Sequence, residues 1–152
     1  MAPPVVLSPE QIAEVSYERW NALVHIAFLP YEQLDNLQRI PHHALWYESE
    51  VNNGGHLQYF ENHGTDRVPE AIESLKSLGA LSQAAVLTDA LTLRMSVKRK
   101  RILSLTQFLS AAKRDEYGEL DSAFYQCEPG ICELLQWFLD RNEASFIRVV
   151  AR

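Results

Sequence analysis

Residues 50–64 read Glu-Val-Asn-Asn-Gly-Gly-His-Leu-Gln-Tyr-Phe-Glu-Asn-His-Gly. The stretch is patterned as helix on both sides of an Asn-Asn-Gly-Gly turn signal. A glycine in a helix interior costs about 1 kcal/mol relative to alanine, so Gly54 and Gly55 in succession predict a break. The expected arrangement is one helix from near Pro41, carrying Leu45, Trp46 and Val51, that stops at Asn53–Gly55. A second piece, Leu57 to Asn62, follows and ends at Gly64. Such a conflict between local propensity and surrounding pattern marks a structural pivot or a functional site.

The rest of the chain also reads as helix. Ser8-Pro9-Glu10-Gln11 combines an N-cap serine, proline at the first helical position and a capping-box glutamine. Ile12, Val15, Trp20, Leu23 and Ile26 then recur at helical spacing up to Pro30, and a short helix through Leu34 and Leu37 is expected before Pro41. Pro69 opens a helix with the stripe Ala71, Ile72, Leu75, Leu78, and Gly79 closes it. The segment 80–94, with Leu81, Ala84, Ala85, Leu87, Ala90 and Leu91, forms a tight helical hairpin with it. A break near Met95-Ser96 precedes a helix carrying Ile102, Leu105, Phe108, Leu109 and Ala112. A short helix from Leu120 to Tyr125 follows Gly118. The last helix starts near Pro129 and carries Ile131, Leu134, Leu135, Phe138 and Leu139, and a final turn holds Phe146 and Ile147. No two-residue hairpin between alternating strands occurs, so no substantial sheet is expected. The fold class is all-α: a single-domain irregular bundle of about six to eight helices over residues 1–152, with the Gly-Gly break between two central helices.

A chain of 152 residues buries roughly 70% of its unfolded surface and needs neither disulfide nor metal to fold. Cys127 and Cys132 flank Pro129-Gly130 without a zinc-type spacing. No apolar run approaches the roughly 20 residues of a membrane helix, and the start lacks a secretory pattern, so a cytoplasmic protein with no membrane partner is expected. The net charge of −6 is unevenly spread. Residues 1–93 hold 12 acids and 4 bases, residues 94–114 hold 7 bases and no acid, and residues 115–152 hold 8 acids and 3 bases. An acidic body therefore carries one basic strip: Arg94, Lys98, Arg99, Lys100 and Arg101. A helix starting at Ser96 would place these cations at its positive end, an unfavourable position. Otherwise the strip is a solvated loop, or it is paired with the acidic body. An acidic surface repels nucleic acid and favours basic partners, and Glu10, Glu14, Glu18, Glu70 and Glu73 are the candidate binding face. No direct binding to duplex DNA is expected.

The motif also carries a resemblance. Glu50, Val51, Asn53, Gly54, Gly55, Gln58, Tyr59, Phe60, Asn62 and Gly64, then Ala71, Leu75, Leu78-Gly79-Ala80 and Leu120-Asp121-Phe124-Tyr125, resemble a bacterial family of small helical proteins. So do Leu134-Leu135, Phe138 and Arg141-Asn142, and the resemblance covers roughly residues 40–147. The family's named member is described as a DNA mimic. The resemblance implies an all-helical fold and an acidic face that binds another protein, with dimer formation as a further implication. Seven cations over residues 94–114 depart from what a mimic of phosphate charge presents.

Two readings of the junction stand side by side. Glu50 and Asn53 are three apart and share a helix side, and Gln58 and Asn62 are four apart and share the next. Asn53, Gly54 and Gly55 tolerate positive φ and allow a close crossing. Glu50, Asn53, Gly54, Gly55, Gln58, Phe60 and Asn62 then form either a polar clasp that fixes the bend or a ligand pocket. A cavity lined by Glu50, His56, Gln58 and Asn62 would mark the pocket. His42, His43, His56 and His63 lack tight ligand spacing, and Glu48 and Glu50, two apart, do not face each other. No cofactor, metal or catalytic residue is expected. The leading function is a non-enzymatic interaction protein with a basic, nucleic-acid-binding protein as partner. The alternatives are small-molecule or metal-dependent activity at residues 50–64, and a structural homodimer in which acidic face meets basic strip.

Overall fold

The computed structural model describes residues 1–14 and 17–151. Its longest element is a helix, α3 (Arg39–His63), around which the others gather. Before it come a short strand β1 (Val5–Leu7), α1 (Pro9–Glu14), α2 (Glu18–Ala27) and a 3-10 turn at Tyr31–Gln33. After it come α4 (Val68–Leu78), α5 (Leu81–Met95), α6 (Leu105–Lys113), α7 (Gly118–Tyr125) and α8 (Ile131–Asn142), then a 3-10 turn at Glu143–Ser145 and strand β2 (Ile147–Val149). The all-α expectation holds, with eight α-helices among the described residues.

Capping chemistry sets several boundaries. Ser8 and Gln11 form the capping box, Ser8 N–H donating to Gln11 Oε1 at 2.8 Å and Gln11 N–H to Ser8 Oγ at 3.2 Å. At the α4–α5 hairpin Gly79 takes a left-handed conformation, φ 90°. Ala80 N–H bonds Leu75 O and Gly79 N–H bonds Lys76 O, a Schellman closure. The expected stripes of α4 (Ala71, Ile72, Leu75, Leu78) and α8 (Ile131, Leu134, Leu135, Phe138, Leu139) are all buried. With Tyr47, Val51 and Phe60 of α3, Leu23 and Ile26 of α2 and Leu87 of α5 they form one core.

Several expectations need correction. The single helix expected from Pro9 to Pro30 is two, α1 and α2, and Val15 of its stripe lies outside the described residues. The short helix through Leu34 and Leu37 is only the 3-10 turn Tyr31–Gln33. A second capping box, Asp35 with Gln38, instead leads into α3: Gln38 N–H donates to Asp35 Oδ1 at 2.8 Å and Asp35 N–H to Gln38 Oε1 at 3.2 Å. Of the expected final turn, Phe146 is a turn residue, but residues 147–149 are extended. They pair in parallel with β1, Val5 opposite Ile147 and Leu7 opposite Val149. Strands of three residues are too short to show alternation. Fully buried Gln38 supports this joint of the two chain ends by donating to Ala2 O at 2.9 Å and Ser145 O at 3.1 Å.

No helix starts at Ser96. Residues 96–104 are non-helical, and α6 begins at Leu105 with Ser104 as N-cap, its Oγ accepting from Gln107 N–H at 3.1 Å. The stripe expected to be buried is largely open: Leu105 is 73% and Leu109 52% exposed, and Ala111, not Ala112, is the buried alanine. Helix α6 makes only sparse contacts with the other elements, so its amphipathic pattern has no helix to meet.

Candidate functional site

The chain breaks α3 where the sequence predicts it. Gly54 (φ −154°, ψ 23°) and Gly55 (φ 71°, ψ −173°) leave the helical region, while Asn53 stays within it. A break in a helix exposes carbonyls on one side and N–H groups on the other. Helix α7 meets both needs. Asp121 Oδ1 accepts the His56 N–H at 2.9 Å, which caps the second half-helix. The Tyr125 hydroxyl, four residues further along the same helix, donates to Val51 O at 2.9 Å and caps the first. Asp121 passes so close to Gly55 that a Cβ there would sit 2.4 Å from its Oδ2.

Asp121 also holds the His56 ring. His56 is fully buried, with Nδ1 2.6 Å from Asp121 Oδ1 and Nε2 2.7 Å from the Tyr47 hydroxyl. A ring that donates to the carboxylate and accepts from the phenol satisfies every group in this chain. Burial pushes the Tyr47 phenol well above its ordinary range, so it stays a donor. Tyr47, Tyr59, Phe60, Tyr117 and Phe124 surround the network edge-on or tilted. From sequence, His56 enters as a pocket lining and as one of four histidines without ligand spacing, and Asp121 and Tyr125 have no role at the break. Their i, i+4 spacing on one helix face was the available signal.

The polar clasp exists with a different membership. Glu50, buried on the inner side of the break, accepts from Gln58 Nε2 at 2.9 Å and Asn62 Nδ2 at 2.7 Å. His63 Nε2 stands 3.5 Å from its other oxygen. Asn53 is exposed and takes no part in it. Phe60 is a core residue under the Arg94 guanidinium, 5.6 Å from its ring centre. Gln58 and Glu50 are thus spent on each other.

A cavity of about 450 Å³ does adjoin the junction, on the other side. Gly54, Leu57 and Glu61 of α3, Arg94 of α5, residues 97–100 and Ile102, Ala111 and Ala112 of α6, and Arg114–Tyr117 with Asp121 line it. Of the four residues expected to line a pocket, Glu50, His56, Gln58 and Asn62, none does. The basic strip forms much of the wall. Arg94, in the last turn of α5, pairs with Glu61 at 2.7 Å. Arg99 folds back on the same helix end, where Nε donates to Arg94 O at 2.9 Å and Nη2 to Leu93 O at 3.1 Å. It also makes a two-pronged pair with Glu116. These cations therefore sit at a negative helix end, a favourable position and the reverse of the one a Ser96 start implied. The bond from Arg99 holds the Glu116 carboxyl below its usual range. Lys98, Lys100 and Arg101 are exposed.

The candidate acids divide into two groups. Glu10 and Glu14 lie exposed on α1, and Glu18 opens α2. Glu70 and Glu73 lie on α4, where Glu70 accepts from the Tyr31 hydroxyl beyond the far end of α2 and Glu73 pairs with Lys76 at 2.9 Å. Ten residues of α2, about 15 Å of helix, separate Glu18 from the Tyr31 end. Burial alone would raise Glu70, but the Tyr31 bond and nearby His43 hold it below its ordinary value. Burial pushes His43 itself down to about 4. Glu48 accepts from the Cys132 thiol at 3.1 Å, which, after burial, helps push that thiol up to about 12. Among the described residues no three His, Cys, Asp or Glu side chains gather as a metal site requires, and no helix is long and apolar enough to cross a membrane.

Fold and junction together define a small all-helical domain built on a broken central helix whose break a later helix caps. The family model described as DMP19-like protein matches residues 32–142, and the chain belongs to that family. The match spans the 3-10 turn through α8, so it includes both halves of α3 and the capping helix α7. It begins after α2, and Glu10, Glu14 and Glu18 lie ahead of it. Comparison with curated proteins and with solved structures gave no match.

Proposed function

We propose that the protein is a non-enzymatic interaction module whose acidic surface engages a basic protein of the kind that itself binds nucleic acid. The DNA-mimic role implied by the family resemblance supports this reading. The observation that carries it is the exposure of Glu10 and Glu14 on α1, neither of which forms an ion pair among the described residues. Glu18 opens α2, and its neighbour Arg19 pairs with Asp140 of α8 at 3.0 Å and with Glu143 of the following 3-10 turn at 2.5 Å. The reactive-type groups of the junction are meanwhile committed elsewhere: His56 is bonded at both ring nitrogens and Glu50 is held by two amides.

The test is affinity capture from native lysate across a salt series, with the wild type beside a Glu10→Lys, Glu14→Lys, Glu18→Lys variant. Binding through exposed charge weakens as the screening length falls from about 10 Å at 0.1 M salt. A partner retained by the wild type, lost with salt and lost in the variant is the expected result. Neutralising Lys98 to Arg101 should leave that partner bound. Retention by the charge-reversed variant, or a shift of duplex DNA that depends on Lys98–Arg101, contradicts the proposal.

A further inference from the structure

The cavity beside the junction is built differently from the acidic body. Its volume of about 450 Å³ falls within the roughly 300–1,000 Å³ range of small-molecule sites. Leu57, Val97 and Ile102 give it an apolar wall. Arg94, Lys98, Arg99, Lys100 and Arg114 give it five cations in a chain whose net charge is −6. Four carboxylates line it too, but three are engaged: Glu61 by Arg94, Glu116 by Arg99 and Asp121 by His56. Among the described residues Lys98, Lys100 and Arg114 form no ion pair with any carboxylate. Against these three cations the lining sets one carboxylate without an ion pair, Asp115, so its unpaired charge is net positive and favours an anion.

A second observation comes from Tyr117. It lines the same cavity and is 3% exposed, and its hydroxyl makes no well-formed hydrogen bond, although the Arg94 guanidinium lies beside it. A buried hydroxyl without a well-formed bond is uncommon. Burial also raises its pKa, so the group is a neutral donor. Paired Arg94 and Arg99 fix the floor through Glu61 and Glu116, while the two lysines and Arg114 stay available at the wall. We infer that the cavity binds a small phosphate monoester with an apolar or aromatic group. The phosphate sits among Lys98, Lys100 and Arg114, and the apolar group against Leu57, Val97 and Ile102. Lysine ammonium groups and an arginine fork suit a phosphate, and the apolar wall suits the rest of such a molecule.

The site shares no residue with Glu10, Glu14 and Glu18, so separate variants read ligand binding here and protein capture there. The probe is 1-naphthyl phosphate, titrated into the full chain and followed by amide NMR shifts, with 1-naphthol and inorganic phosphate as separate titrants. The expected result is a saturable shift of Leu57, Ile102, Ala111 and Tyr117 amides, with both half-probes weaker. The combined Lys98→Ala, Lys100→Ala, Arg114→Ala variant should weaken binding by about tenfold or more, or 1.4 kcal/mol upwards. Arg101→Ala with Lys113→Ala, which removes cations that do not line the cavity, should leave it within about twofold. Unchanged spectra serve as the check that these surface variants remain folded. No shift at millimolar probe, equal binding of 1-naphthol, or equal loss in the control variant would overturn the inference. So would a duplex DNA complex dependent on the same three cations, which would assign the wall to nucleic acid.

Discussion

Gly55→Ala isolates what the broken helix rests on, because Gly64 supplies an internal control. Gly55 (φ 71°, ψ −173°) and Gly64 (φ 67°, ψ −161°) occupy the same backbone region, one essentially restricted to glycine and costing about 1–3 kcal/mol for other residues. A Cβ at Gly64 meets nothing within 4 Å, whereas one at Gly55 lies 2.4 Å from Asp121 Oδ2 and 2.9 Å from its carboxyl carbon. A carboxylate at the end of a free side chain would swing aside at little cost. This one is held by the His56 amide and ring, so moving it strips a buried N–H and a buried imidazole of their acceptor, worth a further 1–3 kcal/mol or so. Gly64→Ala should therefore lose about 1–3 kcal/mol and Gly55→Ala about 2–6 kcal/mol. Urea denaturation at constant m-value reads the difference, and each kcal/mol should lower the Tm by about 2–4 °C in a chain of this size. In a double-mutant cycle Gly55→Ala and Asp121→Ala should cost less together than their sum, since the second change removes the atoms the first one strikes. Equal losses for Gly55→Ala and Gly64→Ala, with an additive cycle, would refute the reasoning.

Glu50→Ala should cost about 1–3 kcal/mol more than Glu48→Ala in chemical denaturation, because it leaves Gln58 and Asn62 without their shared acceptor on the inner side of the bend. Equal small effects would return Glu50 to the list of binding residues. Stability should also depend on pH through His43. Burial depresses its folded pKa to about 4 from an unfolded 6.5, against an opposing pull from Glu70 at 3.6 Å and with His42 and Arg67 adding to the depression. The unfolded chain therefore binds more protons across that window, so this contribution is complete above pH 6.5 and is lost as pH falls towards about 4. His43→Leu should flatten the urea midpoint between pH 7 and pH 5, and an unchanged slope would remove His43 from the account.

The helices were legible wherever a repeating apolar stripe met its own partner, as in α4 and α8, and wherever caps stood in local sequence, as at Ser8, Gly64 and Gly79. The Gly-Gly break was legible for the same reason: two glycines in a helix contradict their surroundings. What escaped was whatever depended on distant pieces of chain. The three-residue strands β1 and β2 stabilise each other only across almost the full length of the sequence. Gln38 reads as a surface glutamine until the termini arrive beside it. The α6 pattern resembled a core helix, yet an amphipathic pattern states which face is apolar and not whether anything covers it. At the junction the clasp was half legible. Glu50, Gln58 and Asn62 are near neighbours in sequence, while the caps Asp121 and Tyr125 come from 65 and 74 residues downstream of the groups they cap. The cavity was not legible, because its walls join the basic strip to α3 only after folding.

The most direct measurement of the central claim, that α7 splices the two halves of α3 into one stable unit, is native-state hydrogen exchange at the His56 amide. An N–H at the start of a helix has no intrahelical partner, and unaided it exchanges quickly. Here Asp121 accepts it in a buried setting. The account predicts that the His56 amide exchanges as slowly as Leu75 and Leu87 in the core, through global unfolding, and that Asp121→Ala releases it to rapid local exchange while those two stay protected. Rapid exchange of His56 in the wild type, or protection that survives Asp121→Ala, would contradict it.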